Sequence, residues 1–294
     1  MKHVVISALL LISLSANSQS LIAPGAKLEQ VSSQFKFTEG ASVDKAGNVY
    51  FTDQPNNTIW KYDTDGKLSL FRENAGRSNG TYVDKKGNLI TCADENGQIW
   101  SIDKKGKETV ILKDFGGNQF NGPNDLWIDP KGGIYFTDPY FQRDYWERKS
   151  PDPDMKGENL YYLAKGAKQP VVVDDKFKKP NGVVGTPDGK NLYAAEIADK
   201  LIYKYDIQSD GKLTNRTVFC EDRADGITVD EKGNVYLAGN GVTIYDPTGK
   251  QIEHIDVPSR WTANLCFGGR NKDVLFITAS ESVYVIKMAV KGVE

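Results

Sequence analysis

The sequence predicts an all-β fold, a six-bladed β-propeller with four antiparallel strands in each blade. The first observation is a β-hairpin signature at residues 37–53, where two apolar runs flank a polar Asp-x-x-Gly-Asn turn. The second is that this signature recurs five more times along the chain. The third is that further strand-like runs follow the hairpins, as at residues 58–62 and 67–71.

Each copy of the hairpin begins with a residue whose side chain carries an oxygen, here called the lead residue. The six lead residues are Glu39, Asn79, Asn124, Asn181, Asp225 and Asn264. They recur about every 40–45 residues, with one longer interval after Asn124, and a period of that length with mostly β content is typical of a propeller blade. Six units of four strands therefore predict six blades.

The two ends of the repeat region predict how the ring closes. The sixth unit stops after its third strand, residues 282–288, and lacks a fourth. A strand-like segment at residues 27–35 precedes the first unit and belongs to no hairpin. We expect this N-terminal strand to complete the last blade, because doing so removes an open sheet edge.

The first residues have the pattern of an export signal. Lys2 precedes an apolar run at residues 4–14, and Ala16 and Ser18 supply the small residues of a cleavage site. We therefore expect a signal peptide at residues 1–18, a single propeller domain at residues 19–294, and a periplasmic or secreted protein. No cysteine follows the apolar run closely, so we expect no lipoprotein or other membrane anchor.

The net charge argues against two classes of partner, and the cysteine spacing argues against a cysteine metal site. The formal net charge of −2 gives no electrostatic reason to expect binding to nucleic acid or to an anionic membrane surface. The three cysteines, Cys92, Cys220 and Cys266, are far apart and show no metal-binding spacing. Each lies in or beside an apolar run, so they are either buried thiols or include one disulfide.

The lead residues are expected to meet at one place. Each lies at the start of an innermost strand, so all six converge on one end of the central tunnel. Asn-Gly and Asp-Gly are also common turn dipeptides, and one such residue alone would indicate a turn. Six oxygen-bearing residues at equivalent positions instead indicate a binding site. With the two negative charges of Glu39 and Asp225, the ring suits a divalent cation, Ca²⁺ before Mg²⁺ or Zn²⁺.

The longest connection in the chain is expected on the same face of the ring. Residues 139–159 join the second and third strands of the third blade and include Tyr140, Arg143 and Trp146. The aromatic first half indicates a packed lid over the tunnel mouth, whereas the composition of residues 150–154 is typical of a disordered surface loop. Phe120 and Trp261 each precede a lead position by a few residues and are expected to line the mouth.

With these residues placed, the sequence resembles the gluconolactonase/regucalcin (senescence marker protein) family of six-bladed propellers. The resemblance covers essentially all of the mature chain and is most specific at residues 37–40, 120–125, 179–182 and 224–226. It implies a divalent metal bound by Glu39, Asn181 and Asp225, with Asn124 reaching either the metal or the substrate. It also implies that Asp225 is the general acid/base in the hydrolysis of sugar lactones.

The resemblance has one departure that affects the substrate. Regucalcin carries an arginine where this chain has Gly122, so substrate recognition need not carry over. Asp125 is a second candidate base. The predicted substrate contacts are Asn124, Asp125, Asn79, Asn264, Phe120, Tyr140, Arg143 and Trp261.

The predicted function is metal-dependent hydrolysis of a sugar lactone. The metal would polarise the ring carbonyl while water attacks and Asp225 takes its proton. Two alternatives remain open at this point: a hydrolase of another ester or phosphoester on the same scaffold, and a non-catalytic calcium-binding propeller.

Overall fold

The strands of the protein form six four-stranded antiparallel sheets in a computed structural model that describes residues 20–293. Five sheets are each built from four strands that are consecutive in the chain, and the sixth joins the last three strands to the first, so every sheet is one blade of a β-propeller. The predicted all-β architecture of six blades and four strands per blade is confirmed. The predicted signal peptide lies outside the described residues, and the extent of the domain stays a prediction.

The first three blades follow one another without interruption. Blade 1 holds strands β2 to β5: Thr38–Val43, Val49–Asp53, Thr58–Tyr62 and Leu68–Glu73. Blade 2 holds β6 to β9: Ser78–Val83, Leu89–Ala93, Gln98–Ile102 and Glu108–Leu112. Blade 3 holds β10 to β13: Leu126–Ile128, Ile134–Asp138, Asn159–Leu163 and Val171–Asp174. Short 3-10 helices, Gln54–Asn56 and Asp94–Asn96, follow the second strands of blades 1 and 2.

The last three blades repeat the same order. Blade 4 holds β14 to β17: Pro180–Gly185, Asn191–Glu196, Leu201–Ile207 and Leu213–Cys220. Blade 5 holds β18 to β21: Ile227–Val229, Val235–Gly239, Gly241–Tyr245 and Gln251–Ile255. Blade 6 holds β22 to β24, which are Thr262–Gly268, Val274–Ala279 and Ser282–Lys287, together with the N-terminal strand β1, Glu29–Ser32.

The N-terminal strand closes the ring, as the sequence predicts. Strand β1 pairs with β24 in antiparallel register, with Glu29 opposite Val285. Phe35 follows the strand and is buried in blade 1, where its ring lies 5.2 Å from that of Phe51 and 5.4 Å from that of Trp60. The segment therefore joins the last blade to the first through both sheet pairing and a buried aromatic contact.

The turn of the hairpin explains the Asp-x-x-Gly-Asn spacing that recurs along the chain. In blade 1, the Asp44 carboxylate accepts hydrogen bonds from the backbone N–H groups of Ala46 and Asn48, both at 2.9 Å. Gly47 adopts a positive φ of 97° and abuts the backbone of Gly269 in blade 6. Asp44 and the equivalent turn aspartates of the other hairpins lie at the end of the blade opposite the lead residues, so they belong to the scaffold.

The three cysteines lie in the buried part of the protein. Cys92, Cys220 and Cys266 are buried free thiols, which excludes a disulfide between any two of them in this structure. Across residues 20–293, no helix has the length and apolar character that a membrane span requires.

The packing of Phe35 leads to a stability prediction. We expect Phe35→Ala to lower the free energy of unfolding by about 3–5 kcal/mol, since the substitution empties a buried aromatic site at the closure of the ring. Urea denaturation measures this change. The control is Val110→Ala on the exposed outer strand of blade 2, which should stay within about 0.5 kcal/mol of the parent protein. Equal effects of the two substitutions would contradict the closing role of Phe35.

Candidate functional site

The six lead residues lie at the starts of the innermost strands, and all are buried, with relative exposures between 4% and 8%. Glu39 is the second residue of β2, whereas Asp225 lies two residues before β18. Although blades 1 and 5 are not neighbours in the ring, the Asp225 carboxylate lies close enough to raise the pKa of Glu39. These two carboxylates therefore converge across the tunnel, in the way the repeat predicts.

Contacts between successive blades explain why glycine follows most lead residues. The backbone N–H of Gly80 donates to the carbonyl oxygen of Asn124 at 2.7 Å, and that of Gly182 donates to Asp225 at 2.7 Å. A Cβ atom on Gly182 would lie only 2.2 Å from the same Asp225 oxygen. The Asn-Gly pairs thus lie in strands at an interface between blades and do not form turns.

Blade 3 carries an aspartate where blades 1, 2, 4 and 5 carry this glycine, and blade 6 carries a leucine there. The Asp125 carboxylate accepts hydrogen bonds from the backbone N–H of Leu126 at 2.9 Å and from that of Val183 in blade 4 at 3.3 Å. Asp125 also raises the pKa of Glu39, so it lies near the ring. Asp125 therefore links two blades as well as facing the site, and its predicted role as a base stays a prediction.

Burial governs the ionisation of the two lead carboxylates. It raises the pKa of Asp225 to about 6, although hydrogen bonds from Trp261 and Asn181 oppose this shift. The indole Nε1 of Trp261 donates to Asp225 Oδ2 at 2.6 Å. Burial likewise raises the pKa of Glu39 well above its ordinary value, and repulsion from Asp225 adds to the effect. The two groups thus resist carrying charge together.

The donor set of the ring fits a hard cation. Glu39 and Asp225 offer carboxylate oxygens and the asparagines offer amide oxygens, which are the ligands that Ca²⁺ and Mg²⁺ prefer. Among residues 20–293 no group of three or more His, Cys, Asp or Glu side chains is placed to hold a metal ion. A metal here would therefore need amide oxygens in addition to the two carboxylates. This all-oxygen set differs from the sulfur and nitrogen ligands that typically bind structural zinc.

The connection between β11 and β12 packs against blade 2 through Asp94, the residue that follows β7. Arg143 Nε lies 3.3 Å from Asp94 Oδ2, and the Tyr145 hydroxyl donates to the same oxygen. The indole Nε1 of Trp146 donates to the Asp94 carbonyl oxygen at 3.2 Å, and the ring itself is buried. The first half of the connection is thus a packed lid, whereas most of residues 150–154 are exposed.

Gly122 makes room for this lid. A Cβ atom at Gly122 would lie 2.5 Å from Asp94 Oδ1 and 3.0 Å from the Trp146 ring. Arg148 stacks on the same indole, 3.9 Å from its centroid, and donates to the Phe120 carbonyl oxygen at 2.9 Å. The departure from the regucalcin pattern at residue 122 therefore coincides with the place where the lid docks.

The role of Asp94 was missed from the sequence, although a signal exists. In three other blades the acid that ends the second strand accepts backbone N–H groups from the segment leading into its own blade: Asp53 from Phe37, Asp138 from Gly122 and Glu196 from Lys178. Asp94 holds the equivalent position in blade 2 but binds the lid of blade 3 instead. Its position in the repeat singles it out, but its partner cannot be read from the repeat.

The other predicted mouth residues divide into two groups. Trp261 contacts the site directly through Asp225, and Tyr140 lies in the lid with its ring 5.6 Å from Trp146. The prediction for Phe120 is wrong. Its side chain has no exposed surface and packs edge-on against Phe136 and Tyr161 at 5.4 Å each, so it belongs to the core and cannot reach a substrate.

Comparison with known proteins identifies the family. The model of the SMP-30/gluconolactonase/LRE-like region matches residues 37–281, which is more than half of the chain. The chain belongs to this family. The resemblance inferred from the sequence is confirmed.

Three known proteins illustrate what the chain is similar to. The chain is 26% identical to the gluconolactonase of Zymomonas mobilis over 295 residues, covering 90% of this chain and 82% of that protein. It is 28% identical to the diisopropyl-fluorophosphatase of Loligo vulgaris over 194 residues, covering 61% of each. The solved structure of a gluconolactonase from Xanthomonas campestris is 25% identical, covers 91% of each chain and superposes with a TM-score of 0.82.

The buried Asp225 leads to a prediction about pH. In chelator-treated protein at pH 7, we expect Asp225→Asn to raise the free energy of unfolding by about 1–3 kcal/mol, since it removes a buried charge. The folded-state pKa is raised, so the carboxyl stabilises the fold below about pH 4 and loses that contribution as pH rises through about 6. The gain should therefore vanish at pH 4 in urea denaturation.

A matched substitution tests whether the effect depends on burial. Asp144→Asn, at an exposed lid position, should leave the free energy of unfolding unchanged at both pH values. An Asp225→Asn protein less stable than the parent at pH 7 would show that Trp261 and Asn181 fully satisfy the carboxylate.

Proposed function

We propose that this protein is a gluconolactonase-type lactone hydrolase that uses a divalent metal at the tunnel mouth. One observation supports the proposal above the rest: Glu39 and Asp225 are buried together, with a raised pKa at each, in a ring whose other members are amides. The gluconolactonases of Zymomonas mobilis and Xanthomonas campestris, which match nearly the whole chain, supply the reaction class.

The proposed ligands are Glu39, Asn181 and Asp225, with Asn124 completing the set or facing the substrate. We propose Ca²⁺ because every donor is an oxygen and two are carboxylates, with Mg²⁺ and Zn²⁺ as the ions to compare. A divalent cation held there would supply Lewis-acid polarisation of the lactone carbonyl.

The chain itself supplies the proton transfer. Water adds to the carbonyl carbon, the ring C–O bond breaks, and the ring oxygen takes up the proton that the attacking water releases, which gives the hydroxy acid. We assign Asp225 to accept the proton of the attacking water and to pass it to the ring oxygen, and the Trp261 N–H, which donates to Oδ2, orients the carboxylate for this transfer. Asp125 is the second candidate, since it faces the same ring from blade 3.

The lid has a definite place in this proposal. Tyr140, Arg143 and Trp146 stand on the face of the ring where the lead residues open to solvent. By covering part of the mouth, they would lower the local water content and strengthen the electrostatic contacts of a bound lactone. The remaining substrate contacts that we propose are Asn79, Asn124, Asn264 and Trp261.

One relative favours a second candidate function. The diisopropyl-fluorophosphatase of Loligo vulgaris covers 61% of this chain, and its name indicates hydrolysis at phosphorus. The same ring could polarise a phosphoryl oxygen in place of a carbonyl oxygen.

We further propose that residues 1–18 are removed on export, and N-terminal sequencing of the protein from its native host tests this.

The primary test is lactone turnover. We expect hydrolysis of aldonolactones that falls at least tenfold after chelation and returns on addition of Ca²⁺. Asp225→Ala should reduce kcat/KM by about 10²–10⁴-fold, because it removes both a metal ligand and the assigned base. Titration calorimetry of the metal-free protein with Ca²⁺ provides the readout that does not depend on activity.

The control is Asp144→Asn, which should retain both turnover and calcium binding. Turnover that resists chelation would refute the metal proposal. Hydrolysis of diisopropyl fluorophosphate without any lactone turnover would favour the second function. Calcium binding with neither activity would identify a non-catalytic propeller.

A further inference from the structure

Two arginines lie at the rim of the ring of lead residues, and neither belongs to the repeat. Arg143 comes from the lid, and Arg223 lies in the segment that leads into blade 5, two residues before Asp225. The carboxylates of Glu39 and Asp225 are buried, whereas Arg223 is exposed and a quarter of the Arg143 side chain reaches solvent. The positive charges thus lie above the negative ones, toward the mouth.

Arg223 is positioned by the aromatic residue that contacts the proposed base. Its guanidinium lies 4.8 Å from the centroid of the Trp261 ring, and Trp261 in turn donates to Asp225. Within the described part of the chain, no carboxylate forms an ion pair with Arg223. Stacking on an aromatic face fixes the plane of a guanidinium and leaves its N–H groups available to a ligand.

Arg143 is positioned by Asp94. Its Nε atom lies 3.3 Å from Asp94 Oδ2, which orients the side chain without engaging its two terminal nitrogens. Those nitrogens have no hydrogen-bond partner among residues 20–293. Both Arg143 and Arg223 lower the pKa of Asp225, which agrees with their standing close to the same carboxylate.

A third arginine nearby is already occupied. Arg77 stacks on Tyr145 at 4.3 Å, donates to the Pro55 carbonyl oxygen at 2.9 Å and lies 3.6 Å from Glu95. It supports the lid from blade 2. Arg77 is therefore not available to a ligand in the way that Arg143 and Arg223 are.

We propose that Arg143 and Arg223 form an anion-recognition pair, and that the substrate is a lactone carrying a carboxylate, sulfonate or phosphate group away from its ring. This inference rests on the proposed function for the orientation of the ligand. A lactone whose carbonyl reaches Glu39 and Asp225 extends its far end toward the rim, where planar guanidinium groups bind oxyanions through paired hydrogen bonds.

The competing explanation is that both arginines only offset the buried carboxylates. In that case they would matter equally for every lactone, because the carboxylates serve the reacting carbonyl in all of them. Recognition of a distant anion instead makes their effect depend on the substituent. The ratio of kcat/KM between an anionic and a neutral lactone separates the two explanations.

The experiment compares D-glucaro-1,4-lactone with D-glucono-1,4-lactone. These lactones share a five-membered ring and differ at C6, which is a carboxylate in the first and a hydroxymethyl group in the second. For the parent protein we expect the higher kcat/KM with the carboxylated lactone. Arg143→Gln and Arg223→Gln should each lower the ratio of the two kcat/KM values by about tenfold or more, through KM.

Two further substitutions make the test specific. Arg223→Lys keeps the charge but loses the planar fork, so its ratio should lie between those of the parent and Arg223→Gln. Arg270→Gln removes an exposed arginine that pairs with Asp65 at the opposite end of the propeller, and it should leave the ratio unchanged. Circular dichroism verifies that each variant is folded.

The possible outcomes separate failure of the anion-recognition pair from failure of the lactonase function. A ratio that neither glutamine substitution changes would overturn it and leave the lactonase function intact. If the parent protein hydrolyses neither lactone, calorimetry with D-glucarate and D-gluconate decides. An arginine-dependent preference for glucarate would support the anion-recognition pair although the proposed function fails, and equal binding of the two would overturn both.

Discussion

The backbone contact between successive lead positions is the constraint on which the rest of the structure depends. At Gly182 the chain passes so close to Asp225 of the next blade that even one added carbon would collide with its carbonyl oxygen. Thr52 and Thr137 reinforce the contact, since each hydroxyl donates to the lead carbonyl of the following blade. Because the innermost strands are held this closely, the central tunnel is narrow. The lead side chains therefore lie close to one another at its end.

Convergence of this kind has an electrostatic cost. Glu39 and Asp225 lose most of their hydration, and each sits within the field of the other. Local hydrogen bonds from Gly40, Asn181 and Trp261 offset part of this cost, yet both pKa values remain raised. A site that keeps two carboxylates under such conditions is better suited to receive a cation than to stabilise the fold.

Much of this could be predicted from the sequence, because blade count, ring closure and the lead positions all follow from one repeating pattern. The repeat fixes where a residue falls along a strand, and for that reason it places Glu39 and Asp225 at the starts of innermost strands. It does not determine the path of the irregular segments between blades. Phe120 lies in such a segment, and its ring turns into the core beside Phe136, whereas the pattern predicts a mouth residue.

Asp94 shows why the rest could not be predicted. In blades 1, 3 and 4 the acid at this point binds the segment leading into its own blade, so the repeat implies the same partner for Asp94. The insertion in blade 3 supplies a competing set of donors, Arg143, Tyr145 and Trp146, and Gly122 leaves the space for them. The lid is therefore held by a scaffold position outside the lead ring, and its Arg143 still lies close enough to the lead carboxylates to lower the pKa of Glu39 and of Asp225. The repeat thus sets the positions of the lead carboxylates, whereas an insertion outside the repeat determines which side chains pack against Asp94.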